Sequence, residues 1–234
     1  MDYLYSKEKA PLIVEFFGLS GAGKTTIANE VVKQLERANI KTASPEAFLK
    51  FRQVAKKQQR WVSYLLNYST WKLICNIKLR YLLKNRVGKW FEPSKYRVDL
   101  ARYTDEFLGE YEVLVFDQLT VQGICSFAWR FDLSLDSFGR MFDNFLLFSP
   151  RHVLVYTLLD HEIAESRSQA RDKPAIEAGA NPLSFFGSYV DFAQKDLKRR
   201  KSIDLICINT KDSVTINVKR ILNHIKENYG IPTN

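Results

Sequence analysis

Cysteine is scarce: the 234 residues hold three, Cys75, Cys125 and Cys207. They are too widely spaced for a paired metal-ligand motif, and their odd number leaves at least one without a disulfide partner. A disulfide-stapled scaffold is excluded, and a reducing, cytoplasmic setting is expected. Histidine is equally rare, with three in the chain, which argues against a His-rich metal centre. Ten glycines and seven prolines exclude collagen-like and low-complexity classes. No stretch approaches the roughly 18 uninterrupted apolar residues of a spanning helix, and residues 1–8 include acidic side chains where a signal peptide would be apolar. Acidic residues are missing altogether from 47–91, which carries 11 Lys and Arg. The rest of the chain has 24 basic against 26 acidic residues, so the net charge of +9 belongs to that one segment.

What remains is a chain that is 46% hydrophobic, enough for one full core across residues 1–234. Leu12-Ile13-Val14-Glu15-Phe16-Phe17 is a short apolar run stopped by glycine, the pattern of a buried strand. From Lys24 to Ala38, Ile27, Val31, Val32 and Leu35 repeat at helical spacing, and Asn39 stands at the helix end. Ile40 to Ala43 is a short second strand, and Pro45 opens a helix. Val113 to Asp117, His152 to Leu158 and Ile203 to Ile208 read as further strands. Helices are predicted over Leu133 to Leu147, Ile163 to Ala170, Pro182 to Arg200 and Val214 to Ile225. Strands alternating with helices predict an α/β fold with a mostly parallel sheet covered on both faces.

The sharpest motif is Gly18-Leu19-Ser20-Gly21-Ala22-Gly23-Lys24-Thr25. It fits Gly-x-x-x-x-Gly-Lys-Thr in full, directly after a strand and before a helix. Chance would place such a match in roughly one chain of this length in a hundred. Glycines let successive amides turn inward around phosphate oxygens, and the helix adds its own N-terminal amides. Nucleotide binding is therefore expected at Gly18, Ser20, Gly21, Ala22, Gly23, Lys24, Thr25 and Thr26. Lys24 reaches the β- and γ-phosphates, and the Thr25 hydroxyl is a Mg²⁺ ligand.

Asp117, ending a buried strand, either holds Mg²⁺ or accepts a proton from an attacking hydroxyl; as a plain helix cap it would do neither. Arg167 and Arg171 lie four apart on one helix face. They are candidates for neutralising the transferred phosphoryl group, with solvated surface arginines the competing reading. The segment at about 167–181, containing Pro174 and Gly179, reads as a lid.

With its phosphate loop, its Val113-to-Asp117 strand and the helix bearing Arg167 and Arg171, the chain resembles the nucleoside and nucleotide kinase group of phosphate-loop proteins. The thymidylate-kinase-like branch is the nearest, and the loop is similar to that of adenylylsulfate kinase. The resemblance implies a three-layer P-loop NTPase fold whose five-stranded sheet runs 2-3-1-4-5, with ATP as donor. It also implies adenine contacts from the Asn209-Thr210-Lys211-Asp212 loop, hence Asn209 and Lys211, and an acceptor held near Asp117. Asp117-Gln118 stands where that branch carries Asp-Arg, and Ser44-Pro45-Glu46 is a loose echo of its acidic-Pro segment. The missing arginine argues against an ordinary nucleoside monophosphate as acceptor, and both departures, with the charge and aromatic bulk of 47–91, argue against thymidylate.

The basic, aromatic block at about 46–92 reads as a helical insertion. Trp61, Leu65, Tyr68, Trp71 and Cys75 form one stripe, which serves equally as core or as a homodimer seam. Arg80, Arg86 and the neighbouring lysines suit a phosphorylated acceptor, single-stranded nucleic acid or an anionic membrane surface. Phosphoryl transfer from ATP to a small acceptor (nucleoside, nucleotide or related phosphorylated metabolite) leads. The rivals are a polynucleotide 5′-end kinase and a non-enzymatic, ATP-responsive binding or assembly protein.

Overall fold

Along β1 (Leu12–Gly18) the side chains alternate between two buried faces. Leu12, Val14 and Phe16 point one way, while Ile13, Glu15 and Phe17 point the other. A strand buried on both faces belongs at the centre of a parallel sheet, and β1 is the middle strand of five. The computed structural model describes residues 10–58, 110–145, 151–171 and 183–233.

In chain order the elements are β1, α1 (Lys24–Arg37), β2 (Thr42–Ala43), α2 (Pro45–Gln58), β3 (Val113–Phe116) and α3 (Thr120–Arg130). Then follow α4 (Leu135–Phe145), β4 (His152–Leu158), α5 (His161–Arg171), α6 (Leu183–Arg199), β5 (Asp204–Asn209) and α7 (Val214–Tyr229). The strands are all parallel in the order β2-β3-β1-β4-β5, the expected 2-3-1-4-5. In register, Leu12 pairs with Val113 and Gly18 with Thr157.

Three layers result. Helix α1 buries Ile27, Val31 and Leu35 with Val218, Ile221 and Ile225 of α7 against the Leu12–Val14–Phe16 face. Phe17 meets Val121, Ile124, Phe127 and Tyr189 of α3 and α6 on the opposite face. Helix α2 closes the β2 side of the sheet: Phe48 stacks edge-on against Phe116 at 4.8 Å. α1 ends where Asn39 adopts a left-handed φ of 60°, a conformation Asn tolerates better than most residues.

One expectation needs correction. The single helix predicted between β3 and β4, over 133–147, is accompanied by another. Helix α3 precedes it, the chain turns at Asp132 with φ 51°, and α4 begins at Leu135. α3 escaped although Gln122, Ser126 and Arg130 repeat four apart along it, because it is apolar overall and so short that the pattern completes only two repeats. Gly123 in its second turn weakens the helical signal further. The basic block beyond Gln58, the stripe from Trp61 to Cys75, Arg80, Arg86 and the lid residues after Arg171 lie outside the described residues. Of the insertion expected from residue 46, the described part is α2. Among the described residues no helix is long and apolar enough to cross a membrane.

Candidate functional site

Because the sheet is parallel, the loops after its strands gather at one edge, beside the point where β1 separates β3 from β4. Three of these loops carry the residues singled out above.

The loop from Gly18 to Lys24 turns through positive φ at Gly21 (83°) and Gly23 (75°). At Gly21 a side chain has no room: a Cβ would stand 2.5 Å from the Ala164 carbonyl oxygen and 3.2 Å from Arg167 Cβ. Helix α5 is thus packed directly on the phosphate loop, and Arg167 is brought beside it by Gly21 itself. Ala22 is buried and its amide donates to Leu19 O at 3.2 Å. Helix α1 then starts with Gly23 as a cap that offers no side-chain acceptor, and no acidic residue follows in its first turn. Such a terminus favours an anion.

Lys24 is only 5% exposed. Its ammonium folds back to donate to Gly18 O at 3.0 Å and Leu19 O at 2.7 Å, so a cation is stored inside the loop. Thr25 and Thr26 are exposed. The Thr25 hydroxyl donates to Asp117 Oδ2 at 2.7 Å, joining the phosphate loop to the end of β3. These are two hard oxygen groups in contact, the donor type that Mg²⁺ takes alongside water and phosphate oxygens.

On the far side, the loop after β5 is tied to the loop after β4. Thr210 N and Oγ1 both approach Leu158 O at 3.0 Å, and Lys211 Nζ pairs with Asp160 Oδ2 at 2.5 Å. The Asn209 side chain accepts from Lys211 N at 2.9 Å, and Asn217 Nδ2 donates to Asn209 O at 2.8 Å. Asn209 and Lys211 therefore hold their own loop in shape. Arg171 ends α5, one turn beyond Arg167.

Two groups of the site escaped the sequence. Gln122, in the first turn of α3, accepts from Gly18 N at 3.0 Å. Glu15 is fully buried in β1 and accepts from Val121 N at 2.7 Å. A carboxylate interrupting an otherwise apolar strand was the available signal for Glu15; nothing marked Gln122, since its helix went unread. Nearby, burial pushes the Cys125 thiol upward, with the Glu15 charge adding to it. Tyr156, ring-stacked with Phe17, is pushed up to about 12 by burial first, then by Asp191 and Cys207.

The chain shares its fold with solved structures of deoxyadenosine kinase from M. mycoides, to which it is similar. With products dCMP and a flexible dCDP bound, that enzyme is 13% identical, with TM-score 0.54, over 92% of this chain and 100% of that one. With dATP the values are 15%, 0.52, 92% and 99%; with dCTP they are 13%, 0.51, 92% and 100%. No protein-family model and no curated protein matches the sequence.

Proposed function

We propose that this chain transfers the γ-phosphoryl group of ATP to a hydroxyl of a small acceptor, a nucleoside or a nucleotide. The observation that carries the reading is the 2.7 Å contact between Thr25 and Asp117 on the lip of a phosphate loop. The structural neighbours support it as nucleoside kinases by name, two of them holding a nucleoside triphosphate.

The loop amides and the α1 N-terminus bind the donor's phosphates. Lys24 leaves Gly18 O and Leu19 O, exchanging two carbonyls for the β- and γ-phosphate oxygens, so the cation needs no recruitment from solvent. Thr25 and Asp117 would hold Mg²⁺, which offsets the charge of the phosphates when bound. Arg167, exposed and adjacent to Gly21, neutralises the equatorial oxygens as the phosphoryl group moves. Arg171 assists from the next turn, and the Asn209–Lys211 loop packs on the adenine.

Of the two roles open to Asp117, the contact with Thr25 favours the metal side. The acceptor hydroxyl then needs another base. Glu46 is exposed in the first turn of α2, at the carboxyl end of β2 beside β3. It is the carboxylate we assign to accept that proton.

The test is direct. Purified protein with Mg-ATP and a panel of nucleosides and nucleotides should release ADP and a phosphorylated acceptor in equal amounts, read by mass spectrometry. ATP binding with no phosphorylated product from any acceptor would instead support a nucleotide-responsive binding protein.

A further inference from the structure

Helix α3 begins four residues after β3 ends, and its first turn is held from across the sheet. Its N-cap residue, Leu119, supplies no side-chain cap. The cap comes instead from β1: the Glu15 carboxylate accepts from Val121 N at 2.7 Å, compensating the helix terminus from another element. His152 Nε2 of β4 stands 3.2 Å from the other Glu15 oxygen, and both side chains are buried. One residue on, Gln122 is 6% exposed and takes the amide hydrogen of Gly18 at 3.0 Å. Gly18 in turn accepts from Lys24 at 3.0 Å.

Asp117 to Thr120 is therefore a short bridge anchored at both ends. β3 fixes one end through its pairing with β1, and Glu15 and Gln122 fix the other. The Asp117 carboxylate can meet Thr25 at 2.7 Å only while both anchors keep the phosphate loop and α3 in register. A displacement of about 1 Å at such a site can cost about a hundredfold in rate. Resting on the phosphoryl-transfer reading, we infer that Gln122 and Glu15 are positioning residues that set Asp117 against the phosphate loop. Neither touches the reacting atoms.

The experiment is a double-mutant cycle in the full chain. Gln122→Met keeps the volume and removes the acceptor. It should lower kcat about tenfold per folded molecule with KM for ATP within about threefold, and cost less than about twofold in the Asp117→Asn background. Glu15→Gln, which keeps an acceptor for Val121 N, should stay within about threefold of the unmodified protein, whereas Glu15→Ala falls about tenfold. The readout independent of turnover is calorimetry with a non-hydrolysable ATP analogue: Gln122→Met should reduce the affinity gain from Mg²⁺ about tenfold. Multiplicative effects of Gln122→Met and Asp117→Asn, or an unchanged Mg²⁺ gain, overturn the inference while leaving the kinase reading intact. Conversely, an unmodified protein that binds Mg-ATP without transferring phosphate, in which Gln122→Met still loses the Mg²⁺ gain, removes the kinase reading and keeps the positioning role.

Discussion

The Thr25 hydroxyl donates to Asp117 Oδ2 at 2.7 Å across 92 residues of sequence, so the phosphate loop and the β3 terminus share one polar contact. With Asp117 engaged there, the metal and base roles are expected to fall on different carboxylates. Asp117→Asn should raise the Mg²⁺ concentration needed for half-maximal turnover. Glu46→Gln should lower kcat by roughly a hundredfold with an unchanged Mg²⁺ requirement. Mg²⁺ titrations of both variants check the division, and a shifted Mg²⁺ requirement in Glu46→Gln would refute it.

Lys24 carries its charge inside the loop, bonded to two carbonyls. Lys24→Ala is expected to abolish most turnover, a loss of about a thousandfold on the scale of charge stabilisation in transferring groups. The fold, judged by circular dichroism, should persist. Ordinary turnover in this variant would show that Lys24 is not the phosphate-binding cation.

Gly21 and Gly23 share a left-handed backbone but not their surroundings. Gly21→Ala brings a methyl to 2.5 Å from Ala164 O and should destabilise the chain by roughly 2–3 kcal/mol, displacing α5 and Arg167 as well. Gly23→Ala meets nothing within 4 Å, so only the backbone strain of about 1 kcal/mol is expected. Urea midpoints of the two variants give the order, and equal midpoints would contradict it.

Tyr156 is raised from an ordinary 10.0 to about 12. The unfolded chain loses this proton first, so the stability it contributes is complete below pH 10.0 and is lost as pH rises towards about 12. Tyr229 acts with the same sign, raised by burial and then by its hydrogen bond to Asp204. Tyr156→Phe should therefore lose less stability than the unmodified protein between about pH 10 and about pH 12, as measured by denaturant titration.

Cys207 is exposed and Cys125 is buried, with burial pushing the Cys125 thiol upward. Only the thiolate reacts. An alkylating reagent at neutral pH should modify Cys207 in the folded protein and reach Cys125 only after denaturant is added. Peptide mass spectrometry reads both sites, and prompt labelling of Cys125 would mean that α3 opens readily.

The phosphate-loop motif, the buried β1 strand, the amphipathic α1 and α7, and the helix end at Asn39 were all legible along the chain. Each depends on residues within one or two turns of one another, where spacing alone carries the physics. The sheet order came with the family resemblance, not with any local pattern. Helix α3 went unread because it is short, apolar overall and carries Gly123 near its start, and with it went Gln122. The tertiary structure alone decided three further matters: that Gly21 seats α5 and Arg167 on the loop, that Thr25 reaches Asp117, and that a carboxylate from β1 caps α3. Those contacts bridge residues at least 92 positions apart, and their geometry follows from parallel strand register and helix packing, which no neighbouring residues encode.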